Sequence, residues 1–144
     1  MNAATVHLLV NHFPPIVGIS ALIVIVWGAI SGNAGTRRAG YFLVWIAAVT
    51  AILTFTSGRG AVHVVKGMEG INHAAIGPHE EAAGATFILF LIAMAFAIVA
   101  MIKPSMRWAH VLVLAFLVLA TLSSVYTAML GGRVHHPETQ MRRR

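Results

Sequence analysis

The sequence predicts an all-α integral membrane protein, folded as an up-down-up-down bundle of four helices. The mean hydropathy is +0.83, with 58% hydrophobic and only 10% charged residues, which is far more apolar than a soluble domain. Four apolar segments are each long enough to cross a bilayer, which takes about 20 residues of helix. Short connections between them favour antiparallel neighbours. The 144 residues suit a single transmembrane domain.

The first span is predicted over residues 4–30, with Pro14 and Pro15 inside it. Proline has no amide hydrogen, so carbonyls one turn earlier, near Val10 and Asn11, lose their helical partners. A bilayer tolerates such a break only where another polar group meets it. The sequence therefore predicts a kink near the start of this span, with a polar contact beside it.

The other three spans are predicted over residues 39–65, 79–102 and 107–130, with a polar tail over 131–144. A basic loop, residues 31–38, precedes the second span, and residues 66–79 form the longest loop. Glu80 and Glu81 lie in the first turn of the third span, where the helix dipole favours acids. Lys103-Pro104 is predicted to end that span, and Gly131-Gly132 to end the fourth.

Composition excludes several functional classes. The chain has no cysteine, which rules out disulfides, thiolate metal sites and covalently attached haem. The ten Lys and Arg residues are scattered at segment ends and form no basic face, so we expect a lipid bilayer and no nucleic acid as a partner. No nucleophile motif with a plausible base is present, and no catalytic residue is predicted.

We call the face of the bundle that holds both chain termini face A, and the opposite face B. The short loops on face B carry Lys and Arg but no acids, which favours face B as the cytoplasmic side. The sequence therefore predicts a bacterial inner-membrane protein with face A in the periplasm.

Seven of the eight histidines are predicted to lie at face A. A histidine inside or at the rim of a membrane span is a functional candidate by default. His110 alone falls on face B, beside the interfacial Trp108. The face-A set is His7, His12, His63, His73, His79, His135 and His136.

A planar macrocycle in a bundle core is naturally ligated by two imidazoles from different helices. The first and third spans are diagonal in an up-down bundle, so His12 and His79 are the predicted ligands of a haem iron. Arg59, near the hydrocarbon edge, is a candidate partner for a haem propionate. One or two b haems are expected. Candidates for a second site or for hydrogen bonds at the rim are His7, His63 and His136.

Two other hypotheses remain open. Histidine also suits copper or zinc, and a site of that kind would use ligands from the loop and the tail: His7, His73, His135 and His136. Alternatively, the chain is a structural or assembly subunit whose histidines hold no cofactor. His12 would then cap the carbonyls freed by the prolines, and Arg59 would extend to lipid headgroups.

The opening HLLVNHFPPIVG, residues 7–18, resembles a family of small four-span membrane proteins whose first span begins with an H-x4-H-F-P pattern. Some members are thought to bind b-type haem. The likeness continues in GPHEEAA (77–83) and LGGRVHHPE (130–138), so that it covers about a fifth of the chain. Leu8 departs from the proline that the family often has there. The resemblance implies as ligands His7, His12, His79 and one of His135 and His136, with His136 preferred.

These observations favour a b-type cytochrome-like electron-transfer protein rather than an enzyme. Its redox partners would be a quinone pool or a membrane complex, and a partner protein on face A. A 15.4 kDa chain with little mass outside the membrane is expected to work as a homodimer or as a subunit of a larger complex. The sequence GAISG, residues 28–32, has the small-xxx-small spacing that allows close helix contact.

Overall fold

The structure is a computed structural model, and it describes residues 2–135 except for the side chain of His135. Across these residues it is 87% helical and contains no strand. The helices are α1 (Ala3–Val10), α2 (Phe13–Ile30), α3 (Ala34–Val65), α4 (Ile76–Ile102) and α5 (Arg107–His135), with a 3-10 turn at His73–Ala75 before α4.

The five helices form four segments that are long and apolar enough to cross a membrane, with α1 and α2 together making the first. Helix α2 packs against α3, α3 against α4, α4 against α5, and α5 back against α2. The ring is closed, and α1 lies against α3. Large apolar side chains such as Ile23, Ile30, Trp27 and Val111 are exposed on its outside, as contact with lipid requires. The predicted four-helix membrane bundle is confirmed.

Small residues bring the helices close together. Ala21, Ala47, Ala93 and Ala120 are completely buried in the bundle core. Because lipid provides no hydrophobic driving force between helices, van der Waals packing at these close contacts stabilises the bundle.

The closest approach joins α2 and α3. A Cβ atom on Gly28 would lie 2.5 Å from the backbone nitrogen of Arg37, and one on Gly40 would lie 2.4 Å from Cγ1 of Ile25. Gly28 therefore makes its close contact within the chain. The other glycine of the GAISG pattern, Gly32, has φ +66° and turns the chain between the two helices.

The prolines divide the first span as expected. Helix α1 ends at Val10 and α2 begins at Phe13. Pro14 has no amide hydrogen for the Val10 carbonyl, and the Thr54 hydroxyl of α3 donates to that carbonyl at 3.2 Å. The polar group that meets the break therefore comes from the neighbouring span.

Three helix boundaries differ from the sequence prediction by three residues or more. Helix α4 begins at Ile76 instead of residue 79. Helix α3 begins at Ala34, because the Asn33 side chain caps it by accepting from the Thr36 amide at 2.9 Å. The basic loop shrinks to residues 31–33. Helix α5 continues through Gly131-Gly132 to His135, and the Asn72 amide donates to the Val134 carbonyl in its last turn at 3.1 Å.

Candidate functional site

A cavity of about 530 Å³ lies at the face-A end of the bundle. Its wall is built by the face-A ends of all four spans, with both parts of the first span contributing. The cationic, acidic and imidazole side chains on its lining are His7, His12, Arg59, His79 and Glu80. The cavity therefore gathers most of the cofactor ligands that the sequence predicted within the described residues.

His7 is held on α1 by a contact with α3. Its Nδ1 lies 3.0 Å from the Thr54 carbonyl oxygen. A carbonyl oxygen only accepts, so Nδ1 carries the proton, and in the neutral ring the lone pair lies on Nε2. The ring lies beside Gly58, where an added Cβ would be 3.0 Å from its Cε1 atom. Helix α3 therefore sets both the tautomer and the position of this imidazole.

His79 repeats this arrangement on α4 and α5. Its Nδ1 lies 3.0 Å from the Thr127 carbonyl oxygen, so this ring also has its lone pair on Nε2 when neutral. A Cβ on Gly131 would be 3.0 Å from the Cε1 atom of His79. The two histidines are thus half-buried on diagonal spans, and each is anchored to the following span.

The two rings lie close together at the cavity. Their centroids are 6.3 Å apart in an edge-to-face arrangement, with 73° between the ring planes. A metal–imidazole nitrogen bond is about 2 Å and the ring nitrogen lies about 1.1 Å from its centroid, so two imidazoles on opposite sides of one metal have centroids about 6 Å apart. The observed centroid spacing therefore matches the spacing of two imidazoles that share one metal.

The other predicted histidines lie elsewhere. His12 is exposed in the turn between α1 and α2 and lines the rim of the cavity. The pairing of His12 with His79 stays a prediction. In the structure, it is the ring of His7 that lies near the ring of His79, with 6.3 Å between the centroids. His63 is exposed and does not line the cavity, and His73 is exposed at the 3-10 turn. The side chain of His135, and His136 altogether, lie outside the described residues.

The arginine predicted to meet a propionate is also at this site. Arg59 is exposed on α3 and lies on the cavity lining, one residue from the glycine beside the His7 ring. Glu80, exposed on α4, lines the same cavity and directly follows His79. The rim therefore carries one charge of each sign, and the arginine is the group suited to a carboxylate.

The cavity wall is mostly small and apolar. Alanines from three spans line it, which leaves room between the helices: Ala51, Ala61, Ala83 and Ala128. Phe55 of α3 and Phe87 of α4 stack on each other at the cavity lining, with 4.8 Å between the ring centroids and 5° between the ring planes. This wall suits a flat, apolar group.

A few polar groups lie among these apolar residues. The Thr86 hydroxyl is 2.7 Å from the Ser123 hydroxyl and 2.9 Å from that of Thr127. On the lining, the Asn11 Oδ1 atom is buried with no hydrogen-bond partner in the part of the chain that the structure describes. A buried acceptor of this kind indicates that a further group belongs in the cavity.

Sequence reasoning missed several residues of this site, namely Asn11, Thr54, Gly58, Thr127 and Gly131. One signal was present. A threonine followed four residues later by a glycine occurs at the face-A end of both the second and fourth spans. The spacing is about one helical turn, so the threonine carbonyl and the glycine lie on the same helix face.

The donor set distinguishes between metal centres. Within the described residues, no group of three His, Cys, Asp or Glu side chains is placed to hold a metal ion. Zinc sites take three or four protein ligands. A porphyrin brings four nitrogens of its own and needs only axial ligands, so a pair of opposed imidazoles fits a haem. The copper or zinc alternative remains a hypothesis, because two of its four ligands, His135 and His136, lie outside the described side chains.

His110 on face B has a structural role. Its Nε2 donates to the Pro104 carbonyl at 2.9 Å, and its Nδ1 accepts from the Tyr41 hydroxyl at 2.5 Å. Both ring nitrogens are therefore engaged by the protein. The residue ties the loop between α4 and α5 to α3.

No family model, curated protein or solved structure matches this chain. A function therefore has to be inferred from the chemistry of the cavity.

Proposed function

We propose that this protein is a membrane b-type cytochrome-like electron carrier, or the electron-transfer subunit of a membrane complex, which binds one haem b between His7 and His79. The observation that supports this most strongly is the short distance between the His7 and His79 rings, whose centroids are 6.3 Å apart. They come from diagonal spans and meet inside a cavity.

The hydrogen bonds behind the two rings strengthen the proposal. A metal-bound histidine usually donates its other ring N–H to a carbonyl or carboxylate, which fixes the tautomer and raises the basicity of the ligating nitrogen. Both His7 and His79 have this partner, in the Thr54 and Thr127 carbonyls at 3.0 Å. The two side chains are therefore prepared for ligation through Nε2.

The rest of the cavity matches the other parts of the cofactor. Small residues and the stacked Phe55 and Phe87 would enclose the apolar macrocycle. Arg59, exposed at the rim, would bind a propionate with charge-assisted hydrogen bonds. Haem bound in this way supplies reversible one-electron exchange at its iron. His7 and His79 would both ligate the iron and so keep oxygen from binding to it, which favours electron transfer over catalysis.

The position of the cavity favours electron exchange with a partner at face A. It lies at face A, so electrons would pass between a quinone pool or a membrane complex and a redox partner protein on that face. The Lys and Arg residues at the face-B ends of the spans favour a periplasmic face A in a bacterial inner membrane. The chain has little mass outside its four spans, so we expect it to work as a homodimer or as a subunit of a larger complex.

The test is an absorbance spectrum of the protein purified in mild detergent from cells supplied with a haem precursor. Dithionite-reduced minus oxidised protein should show the sharp α band of low-spin b haem. Pyridine haemochrome against protein concentration should give one haem per chain. A flat difference spectrum from folded protein would overturn the proposal, and metal analysis of the same sample for copper or zinc would then identify the competing hypothesis.

A further inference from the structure

The two histidines are held by the same three-part device. In each case, a ring nitrogen contacts a threonine carbonyl on the following span, and the ring lies beside a glycine one turn further along that span. The histidine and threonine are 47 residues apart in the first device and 48 in the second. The two halves of the bundle thus present the same arrangement from opposite sides of the cavity.

We infer that Gly58 and Gly131 are paired positioning residues that seat the two haem-ligating imidazoles against α3 and α5. The inference rests on the proposed function, because it assigns a role toward the same haem. Both glycines lie on the cavity lining, and the role assigned to them is to position His7 and His79.

A side chain at either glycine would crowd the neighbouring imidazole ring. A Cβ atom at either position would lie 3.0 Å from the Cε1 atom of the neighbouring ring. On the Gly58 side it would also lie 3.2 Å from Nδ1, and on the Gly131 side 3.4 Å. Each ring would have to shift by some tenths of an ångström. Because Nδ1 is bonded to the backbone of that same helix, the shift would lengthen this bond and move Nε2.

Gly84, in the interior of α4, is the control. A Cβ on Gly84 would meet one atom within 4 Å, Cε2 of Phe55 at the ordinary contact distance of 3.9 Å, and this residue does not line the cavity. Alanine at Gly58, Gly84 or Gly131 changes helix propensity in the same way. A difference between the Gly84 variant and the other two therefore reports the contact with the ring.

The test compares Gly58→Ala, Gly131→Ala and Gly84→Ala with wild type. Haemin would be titrated into detergent-solubilised apoprotein to measure affinity. The ferric low-spin electron paramagnetic resonance signal would report the geometry of the iron ligands. Gly58→Ala and Gly131→Ala should each lower haem affinity about tenfold, which is the usual effect of disturbing an outer partner of a ligating histidine. Both should shift the ferric signal, and Gly84→Ala should match wild type.

Thermal unfolding of the apoprotein separates positioning from general packing. The inference predicts that all three variants unfold near the wild-type temperature. It would be overturned if Gly58→Ala and Gly131→Ala bound haem like Gly84→Ala, or if they unfolded at lower temperatures and their ferric signal stayed unchanged. Haem-free wild type would instead refute the proposed function, so the two failures are distinguishable.

Discussion

Removal of the Thr54 hydroxyl tests how the bundle tolerates two prolines inside its first span. Thr54→Val keeps the shape of the side chain and leaves the backbone carbonyl that holds His7. It removes the donor that lies 3.2 Å from the Val10 carbonyl. The same hydroxyl lies 2.8 Å from the Thr50 carbonyl in its own helix. The Val10 carbonyl suffers the greater loss, since Pro14 provides no amide hydrogen for it.

The expected cost is small but measurable. Hydrogen bonds between membrane helices contribute on average about 0.6 kcal/mol, with a maximum of about 1.7 kcal/mol. The Val10 carbonyl has no helical donor because residue 14 is proline, so we place Thr54→Val near the upper part of that range, at about 1–1.5 kcal/mol. The assay is reversible unfolding by dodecyl sulfate in mixed micelles, followed by circular dichroism.

Two further variants make this prediction specific. Thr56→Val is the matched control, because Thr56 is exposed and its hydroxyl bonds only within α3; it should change the unfolding free energy by less than about 0.5 kcal/mol. Pro14→Ala restores an amide donor to the Val10 carbonyl, so Thr54→Val should cost less in that background. Equal losses in both backgrounds, or a Thr56→Val loss as large as that of Thr54→Val, would refute this account of the proline break.

The same unfolding assay tests the core and face B. Gly40→Ala should destabilise the bundle by about 1–3 kcal/mol, because its Cβ would lie 2.4 Å from a side-chain atom of α2. Phe90→Ala, at a completely buried position, should cost about 2 kcal/mol from the cavity alone, at about 24 cal/mol per Å³; Ile88→Ala, at a lipid-facing position with 55% exposure, should cost much less. Tyr41→Phe should lower stability by about 1 kcal/mol through its lost bond to His110, with no effect on haem content. Similar losses in Phe90→Ala and Ile88→Ala, or loss of haem in Tyr41→Phe, would contradict the packing described.

Hydropathy was sufficient to predict the bundle, because apolar length is itself what makes a helix cross lipid. The predicted ends of the second and third spans, Val65 and Ile102, are the observed ends of α3 and α4. The helix boundaries that differ from the prediction depend on contacts that hydropathy does not report. The start of α3 requires the Asn33 cap, and the last turn of α5 receives an amide from Asn72, far away in sequence.

The titratable residues of the candidate site could be picked out from the sequence, but their arrangement could not. His7 and His79 stood out because histidines are rare in membrane spans. Which histidine lies beside His79 depends on the two-residue turn after Val10, which leaves His12 exposed while His7 contacts α3. The supporting glycines share one signal, a threonine four residues earlier, but helix-facing glycines are common in membrane proteins and only the ring beside each one reveals its role.

The most direct test of the account is the haem content of single histidine variants, measured by reduced-minus-oxidised spectra and pyridine haemochrome on equal amounts of folded protein. The account predicts that His7→Ala and His79→Ala lose the low-spin α band, while His63→Ala, at an exposed position outside the cavity, keeps one haem per chain. His12→Ala, at the rim, should also keep the band. Loss of the band in His12→Ala with retention in His7→Ala would contradict the assignment of His7 and His79 as the axial pair.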